Sequence, residues 1–181
     1  MALWGISDAD ESKPKWLTDA DKKKVYADAS GWRFENPKSG ATDEILCAVS
    51  GLAVSIGSAD ITEIEFISTA FDKSEGGTLS VRVRFNEAVA VTGTPQLTVV
   101  NDQRANHTLS YASGTGSNEL VFSLVIGAAN AATSDGDVLR IGANAMALNG
   151  GTVKDNGTST NATITNIAGI GTAAGTITVA A

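Results

Sequence analysis

The chain has very little of several residue types on which common functions depend. It holds one histidine, one cysteine and three prolines in 181 residues. A lone His107 cannot build a multi-histidine metal centre, and a lone Cys47 cannot form a disulfide within the chain. Cys47 sits in the apolar run ILCAVS with no cationic neighbour to activate it, the setting of a small buried hydrophobe. Basic residues are also scarce, with 13 Lys and Arg against 20 Asp and Glu and a net charge of −7. No basic stripe with interleaved aromatics exists, so a phosphate backbone is repelled and nucleic acid is not an expected partner. The run Lys22, Lys23, Lys24 follows Asp19 and Asp21 and reads as a solvated helix face.

Long hydrophobic runs are missing too. No segment approaches 18 uninterrupted apolar residues, and no basic start followed by an apolar stretch opens the chain, so no membrane partner is expected. The expectation is synthesis in the cytoplasm without export, which leaves the acceptor triplets at Asn106, Asn156 and Asn161 without a glycan.

What the chain does have is Gly, Ala, Thr, Ser, Asn and Val, a composition suited to short strands and many turns. From Ile61 onward the apolar residues alternate. In TLSVRVRF, Leu79, Val81, Val83 and Phe85 share one face while Ser80, Arg82 and Arg84 share the other. In NELVFSLVI, Leu120, Phe122, Leu124 and Ile126 repeat the pattern. Further strands are expected at 61–69, 95–100, 107–113, 137–142 and 161–167, divided by turn-rich segments such as DKSEGG, ASGTGSN and AATSDGD. Strands at this spacing, with no long helical pattern between them, predict a mainly β chain folded as an antiparallel β-sandwich.

The first 53 residues differ. They carry all three tryptophans and five of the ten aromatics, with few aliphatic residues to cover them. Thr18 followed by Asp19, Ala20 and Asp21 predicts a short helix over residues 19–26. GWRFENPKSGATDEILCAVSG predicts a hairpin, with Trp32 and Phe34 alternating with Arg33 and Glu35, a turn at NPKSG, and a returning strand at 44–50. The expected organisation is an N-terminal anchoring segment at 1–53, a linker at 54–60, and a sandwich at 61–181 that ends in a strand or tail.

A segment this short and this poor in Leu, Ile and Val is marginal alone. Its aromatic residues need cover from elsewhere, and interfaces are enriched in tryptophan. Leu3, Trp4, Pro14, Trp16, Leu17, Tyr26 and Trp32 are therefore the expected interface residues. Packing of the same rings onto the chain's own sandwich is the alternative, and the mismatch of aromatic and aliphatic content favours an outside partner.

Candidate chemistry is thin. His107 is expected at the surface, and no nucleophile elbow accompanies it, so no catalytic residues are assigned and no enzyme is expected. Asp135-Gly136-Asp137 and Asp155-Asn156-Gly157 offer hard oxygen donors but lack calcium-loop spacing, and turn chemistry accounts for them without a metal or cofactor. GTGSNE and IAGIGTAAG do not open a helix after a parallel strand, so neither reads as a phosphate cradle.

Two resemblances join these readings. The order RFNEAVAVTGTPQLTVV, LSYASGTGSNELVFSLVI, SDGDVLRIGANAMALNGGTVKDNG resembles the immunoglobulin-like modules repeated in large bacterial surface proteins related to the cyanobacterial swimming protein. The match covers about residues 60–165 and implies a structural, adhesive module with an immunoglobulin-like sandwich. The start, MALWG with SKPKWLT and a later GW, is similar to small virion structural proteins of tailed phages, especially marine myoviruses. That likeness implies a virion protein, above all a capsid decoration protein. Its partner would be the major capsid protein or another virion subunit, and it would assemble as a homo-oligomer such as a trimer. A neck, tail or fibre component and a carbohydrate-binding adhesion module are the alternatives, the latter wanting exposed aromatics where residues 86–120 offer only Tyr111.

Overall fold

The computed structural model describes residues 13, 16–28, 31–36, 41–48 and 58–181. The chain is mainly β, and its sheets pack together. In chain order the elements are α1 (Asp19–Lys22), β1 (Val25–Asp28), β2 (Gly31–Phe34), β3 (Glu44–Ala48), β4 (Ile61–Phe66), β5 (Phe71–Asp72) and β6 (Gly77–Thr92). They continue with β7 (Gln96–Asn101), β8 (His107–Ser113), β9 (Ser117–Ile126), β10 (Val138–Ala147), β11 (Thr152–Asp155), α2 (Ala168–Ala173) and β12 (Thr176–Ala180).

The 16-residue β6 is the spine. It pairs antiparallel with β9 through Leu79↔Leu124, Val81↔Phe122 and Val83↔Leu120, and with β4 through Ile64↔Val83. Its last residues pair with β11, from Val89↔Asp155 to Thr92↔Thr152. Beyond β9 the ladder runs through β8, β7, β10 and β12 to the short β5. Leu79, Val81, Val83, Phe85, Leu97, Leu109, Leu120, Phe122 and Leu139 all meet in one apolar cluster. The alternation visible in the sequence is thus the alternation of burial, and Val125, on the outer face of β9, is 76% exposed. The β8–β9 turn depends on Gly114, whose φ is +115° and where a Cβ would stand 1.9 Å from the Glu119 carbonyl oxygen.

Two expected elements form differently. The helix spans Asp19–Lys22, not 19–26. Thr18 caps it by accepting from the Asp21 N–H at 3.1 Å, but Val25 and Tyr26 instead pair with Phe34 and Arg33 in β1 and β2. A single helical turn is weakly stable on its own, whereas covering Val25, 1% exposed against Trp32, contributes on the order of 1.5–3 kcal/mol. Within the lysine run, the Lys22 side chain contacts Asp19 at 3.2 Å, and Lys23 is the C-cap.

The second difference is at 161–167, expected as a strand, where bridge pairing is confined to Asn161 and Thr163. Asn166 explains the substitution. Its buried amide donates to the Gly142 carbonyl at 2.9 Å and accepts from the Ala145 N–H at 2.9 Å, satisfying β10 where its pairing with β7 shifts register. The segment then turns into α2, which lies on β10. Gly171 permits that approach, because a Cβ there would meet the Ile141 carbonyl oxygen at 2.5 Å.

Removing the ring at the centre of this core has a defined cost. Phe122→Ala is expected to lower unfolding free energy by about 3–5 kcal/mol in urea titration, while Val125→Ala changes it by less than about 0.5 kcal/mol.

Candidate functional site: the seat of the N-terminal strands

Burial along β6 alternates until Val83 and then stops alternating: Arg84, Phe85, Asn86 and Glu87 are buried in succession. The sequence pattern had placed Arg84 on an outward face. That face is covered because the N-terminal strands sit there. Pairing of β6 with β9 is interrupted between Arg84 and Val89, and within that interval β1 meets β6 through Ala27↔Glu87.

Beneath this seat lies an ionic cluster. The guanidinium of Arg84, 7% exposed, donates through Nε to Glu35 at 3.0 Å and to Glu119 at 2.9 Å, and through Nη1 to Glu63 at 2.6 Å. Its Nη1 also approaches Glu65 at 3.0 Å. Arg82 joins from the same face, donating through Nε to Glu65 at 2.6 Å and approaching Glu119 at 3.1 Å. Glu63 and Glu119 stand directly across from Arg84 on β4 and β9, and Glu65 stands across from Arg82. Glu35 is the one carboxylate brought in by the N-terminal strands.

These surroundings move the charges in opposite directions. Burial opposes the Arg84 charge, but the Glu63 hydrogen bond and the charges of Glu35, Glu65 and Glu119 hold its pKa above the ordinary arginine value. Burial pushes the Glu35 carboxyl up to about 7, and the neighbouring Glu119 adds to the rise while Arg84 opposes it.

The expected interface residues do not stay together. Leu3, Trp4 and Pro14 lie outside the described residues. Trp32, expected to seek cover on a partner, is 1% exposed, because Val25, Leu17, Phe34, Leu46 and Cys47 enclose it in a second small core. Its ring has no area to offer a partner. Leu17 is half-buried in that core, and half-buried Tyr26 donates its hydroxyl to Asp43 at 2.5 Å. Trp16 is the exception, at 68% exposure beside α1. Ile45 on β3 is likewise exposed.

His107 is a correction. Expected at the surface, it is buried, with Nε2 at 3.1 Å from the Thr133 hydroxyl. Its place on β8 makes this necessary, since His107 and Leu109 face inward while Thr108 and Ser110 face out. His107 and Ser110 therefore point to opposite faces, so this serine is not set against the histidine. Burial lowers the His107 pKa, and the Asp137 charge partly offsets that.

The carboxylates of Asp137 and Asp155 are engaged by donors of the chain. Asp137 accepts from Asn101 Nδ2 at 2.8 Å and from the Ser134 N–H at 2.9 Å, and Arg104 lies 3.2 Å away. Asp155 Oδ1 accepts from the Gly157 and Thr158 N–H groups, both at 2.7 Å. Among the described residues no group of three or more His, Cys, Asp and Glu side chains could hold a metal ion. No described helix is long and apolar enough to cross a membrane.

Sequence reasoning missed the ionic cluster, although the signal was present. ITEIEF carries glutamates two apart and SVRVRF carries arginines two apart, so neighbouring antiparallel strands could match them. Comparison of the chain with family models, with curated proteins and with solved structures returns no match.

Arg84→Ala leaves four carboxylates around a single remaining guanidinium and is expected to cost about 3–5 kcal/mol in chemical denaturation. The lowered His107 pKa sets a second expectation, with stability present above about pH 6.5 and lost as pH falls. In His107→Gln, which keeps a group able to bond Thr133, the Tm should fall less between pH 7 and pH 5 than in the wild type.

Proposed function

We propose that the chain is a structural protein of a tailed-phage virion, a capsid decoration protein without catalytic activity that attaches through its N-terminal part and displays an immunoglobulin-like sandwich. The reading draws on the RFNEAV, SGTGSNELVF and LNGGTVKDNG likeness for the displayed part and on MALWG and SKPKWLT for the attached part. The observation that carries it is the exposed indole of Trp16 in a segment whose other described tryptophan is already covered.

An aromatic side chain buries about 150–250 Å² when enclosed, on the order of 4–6 kcal/mol at 25 cal/mol per Å² before association costs. Leaving such a ring in water while Trp32 is enclosed fits a residue reserved for a partner, here the major capsid protein or another virion subunit. Symmetric assembly of the decoration protein, as a trimer, fits a part repeated over a shell. The acidic surface of a −7 chain suits outward display on particles that must not adhere to one another.

The carbohydrate-adhesion alternative loses its best residue. Tyr111 packs its ring edge-on against Phe122 at 6.1 Å, and its hydroxyl accepts from the Thr115 N–H at 2.8 Å. A ring so engaged is a turn support more than a sugar platform.

Deleting the whole N-terminal part would uncover Arg84, so a point variant is the cleaner test. Trp16→Ala is expected to leave the Tm within about 2 °C of wild type and to weaken particle association at least about 10-fold, read by occupancy in electron cryomicroscopy and by co-sedimentation. Unchanged occupancy would remove the attachment role of Trp16.

A further inference from the structure

We propose that the junction between the N-terminal strands and the sandwich is a proton-operated latch, in which protonation of Glu35 tightens the seat of β1 and β2 on β6 and ionisation loosens it. The proposal concerns how the chain holds its own parts together and does not depend on what the exposed surface binds.

The geometry sets up a conflict that a proton relieves. The sandwich matches Arg82 and Arg84 to its own Glu63, Glu65 and Glu119, three carboxylates for two guanidiniums. Seating the N-terminal strands adds Glu35 as a fourth, at a position where Arg84 Nε already serves Glu119. With all six groups ionised the cluster carries two surplus negative charges, around an Arg84 side chain 7% exposed and a Glu35 side chain 15% exposed. Desolvated surplus charge of one sign is costly, and a proton is its simplest remedy. On Glu35 it removes one negative charge and converts a competing acceptor into a donor toward Glu119.

Among the described residues, the charged side chains that shift Glu35 are Arg84 and Glu119. Arg33 lies on β2, across from Tyr26 and Ile45. Lys24 presents its backbone carbonyl, which accepts from the Glu35 N–H at 2.9 Å. Lys23 lines a depression of about 180 Å³ beside Glu63, with Thr62, Ile167 and Ile170. Asp43 is engaged by Tyr26 and by the Asn36 N–H, and Glu87 lies opposite Ala27 on β6.

The sign follows from linkage. A carboxyl whose folded pKa is raised, here from 4.5 to about 7 by burial first, adds stability that is fully present below 4.5 and lost as pH rises through about 7. Every pH step of one between those two values multiplies the opening equilibrium of the seat by up to ten. The full window is therefore worth up to about 300-fold, and at least about tenfold is expected between pH 5.5 and pH 8. This trend opposes that of His107, so the two are separated by position.

Backbone amide hydrogen exchange, normalised to intrinsic chemical rates, reads the seat at residues 31–34 and the sandwich at 120–126 in one sample. All three tryptophans lie within the first 32 residues, so indole emission gives a second report on the N-terminal part alone. The seat should open at least about tenfold more at pH 8 than at pH 5.5, with no matching change in the sandwich. Glu35→Gln should flatten that profile and keep the seat closed at both values. A pH-independent seat, or a Glu35→Gln profile with the wild-type slope, overturns the latch. Carboxyl carbon NMR of the wild-type chain stands apart from how well the variant folds: a Glu35 midpoint near 7 supports the proposal and one below 5 overturns it.

Discussion

A guanidinium taken out of water must be matched on the sides where water would have been, and at Arg84 that requirement ties two parts of the chain together. Glu63 and Glu119 come from the strands on either side, and Glu35 comes from the N-terminal strands. Ion pairs of this kind add little net stability over an apolar core of equal volume, because desolvation consumes most of the attraction. Their effect is on position. A one-residue slip of β4 along β6 would set Ile64 or Thr62 against Arg84 and turn Glu63 toward the apolar core, so the cluster holds the register that also buries Ile64.

The uneven distribution of tryptophan has a related physical meaning. The N-terminal strands enclose Trp32 with Val25, Leu17, Phe34, Leu46 and Cys47, a core much smaller than the one behind β6. So few apolar residues would not hold a fold alone. Two connections to β6 supplement it, the Ala27↔Glu87 pairing within the interruption of the β6–β9 ladder and the Glu35–Arg84 contact at its edge. The interruption is useful because a continuous ladder there would leave β1 no backbone to meet. Two cores of unequal size are therefore joined through one strand.

How much of this was legible depended on whether the cause was local. The strand character of 78–85 and 118–126 was written in period-2 alternation, and the structure buries Leu79, Val81, Val83, Leu120 and Phe122 as that pattern requires. Thr18 announced the start of α1 correctly, but its end was set by Val25 packing against Trp32, a contact invisible to a helix pattern. Alternation also predicted which side of β6 Arg84 occupies, yet not that a distant segment covers that side. His107 was misjudged by its polarity, when its parity with Leu109 on β8 was the better guide. The segment AGIGTA, with two weak helix formers in six residues, became α2 through its approach to β10, which local propensity does not record.

The buried stretch of β6 joins the N-terminal strands to the sandwich, and its polar residues are met by different means. Arg84 is met by opposite charge. Asn86 is met by backbone, accepting from the Asp60 N–H at 2.7 Å while its own N–H donates to the Asp60 carbonyl at 3.0 Å. Glu87 lies beside a second acid, Asp155: burial alone would raise the Asp155 pKa, but hydrogen bonds from Glu87 and from the Thr158 and Gly157 N–H groups hold it below the usual carboxylate range. Asp155 Oδ1 organises the turn after β11 by accepting from both of those N–H groups. A strand of apolar residues alone could have packed the larger core as well. It could not have offered Glu35 a cation on its outer face and tied Asp60 to Asn86 two residues later, and those two contacts fall where the smaller core is attached.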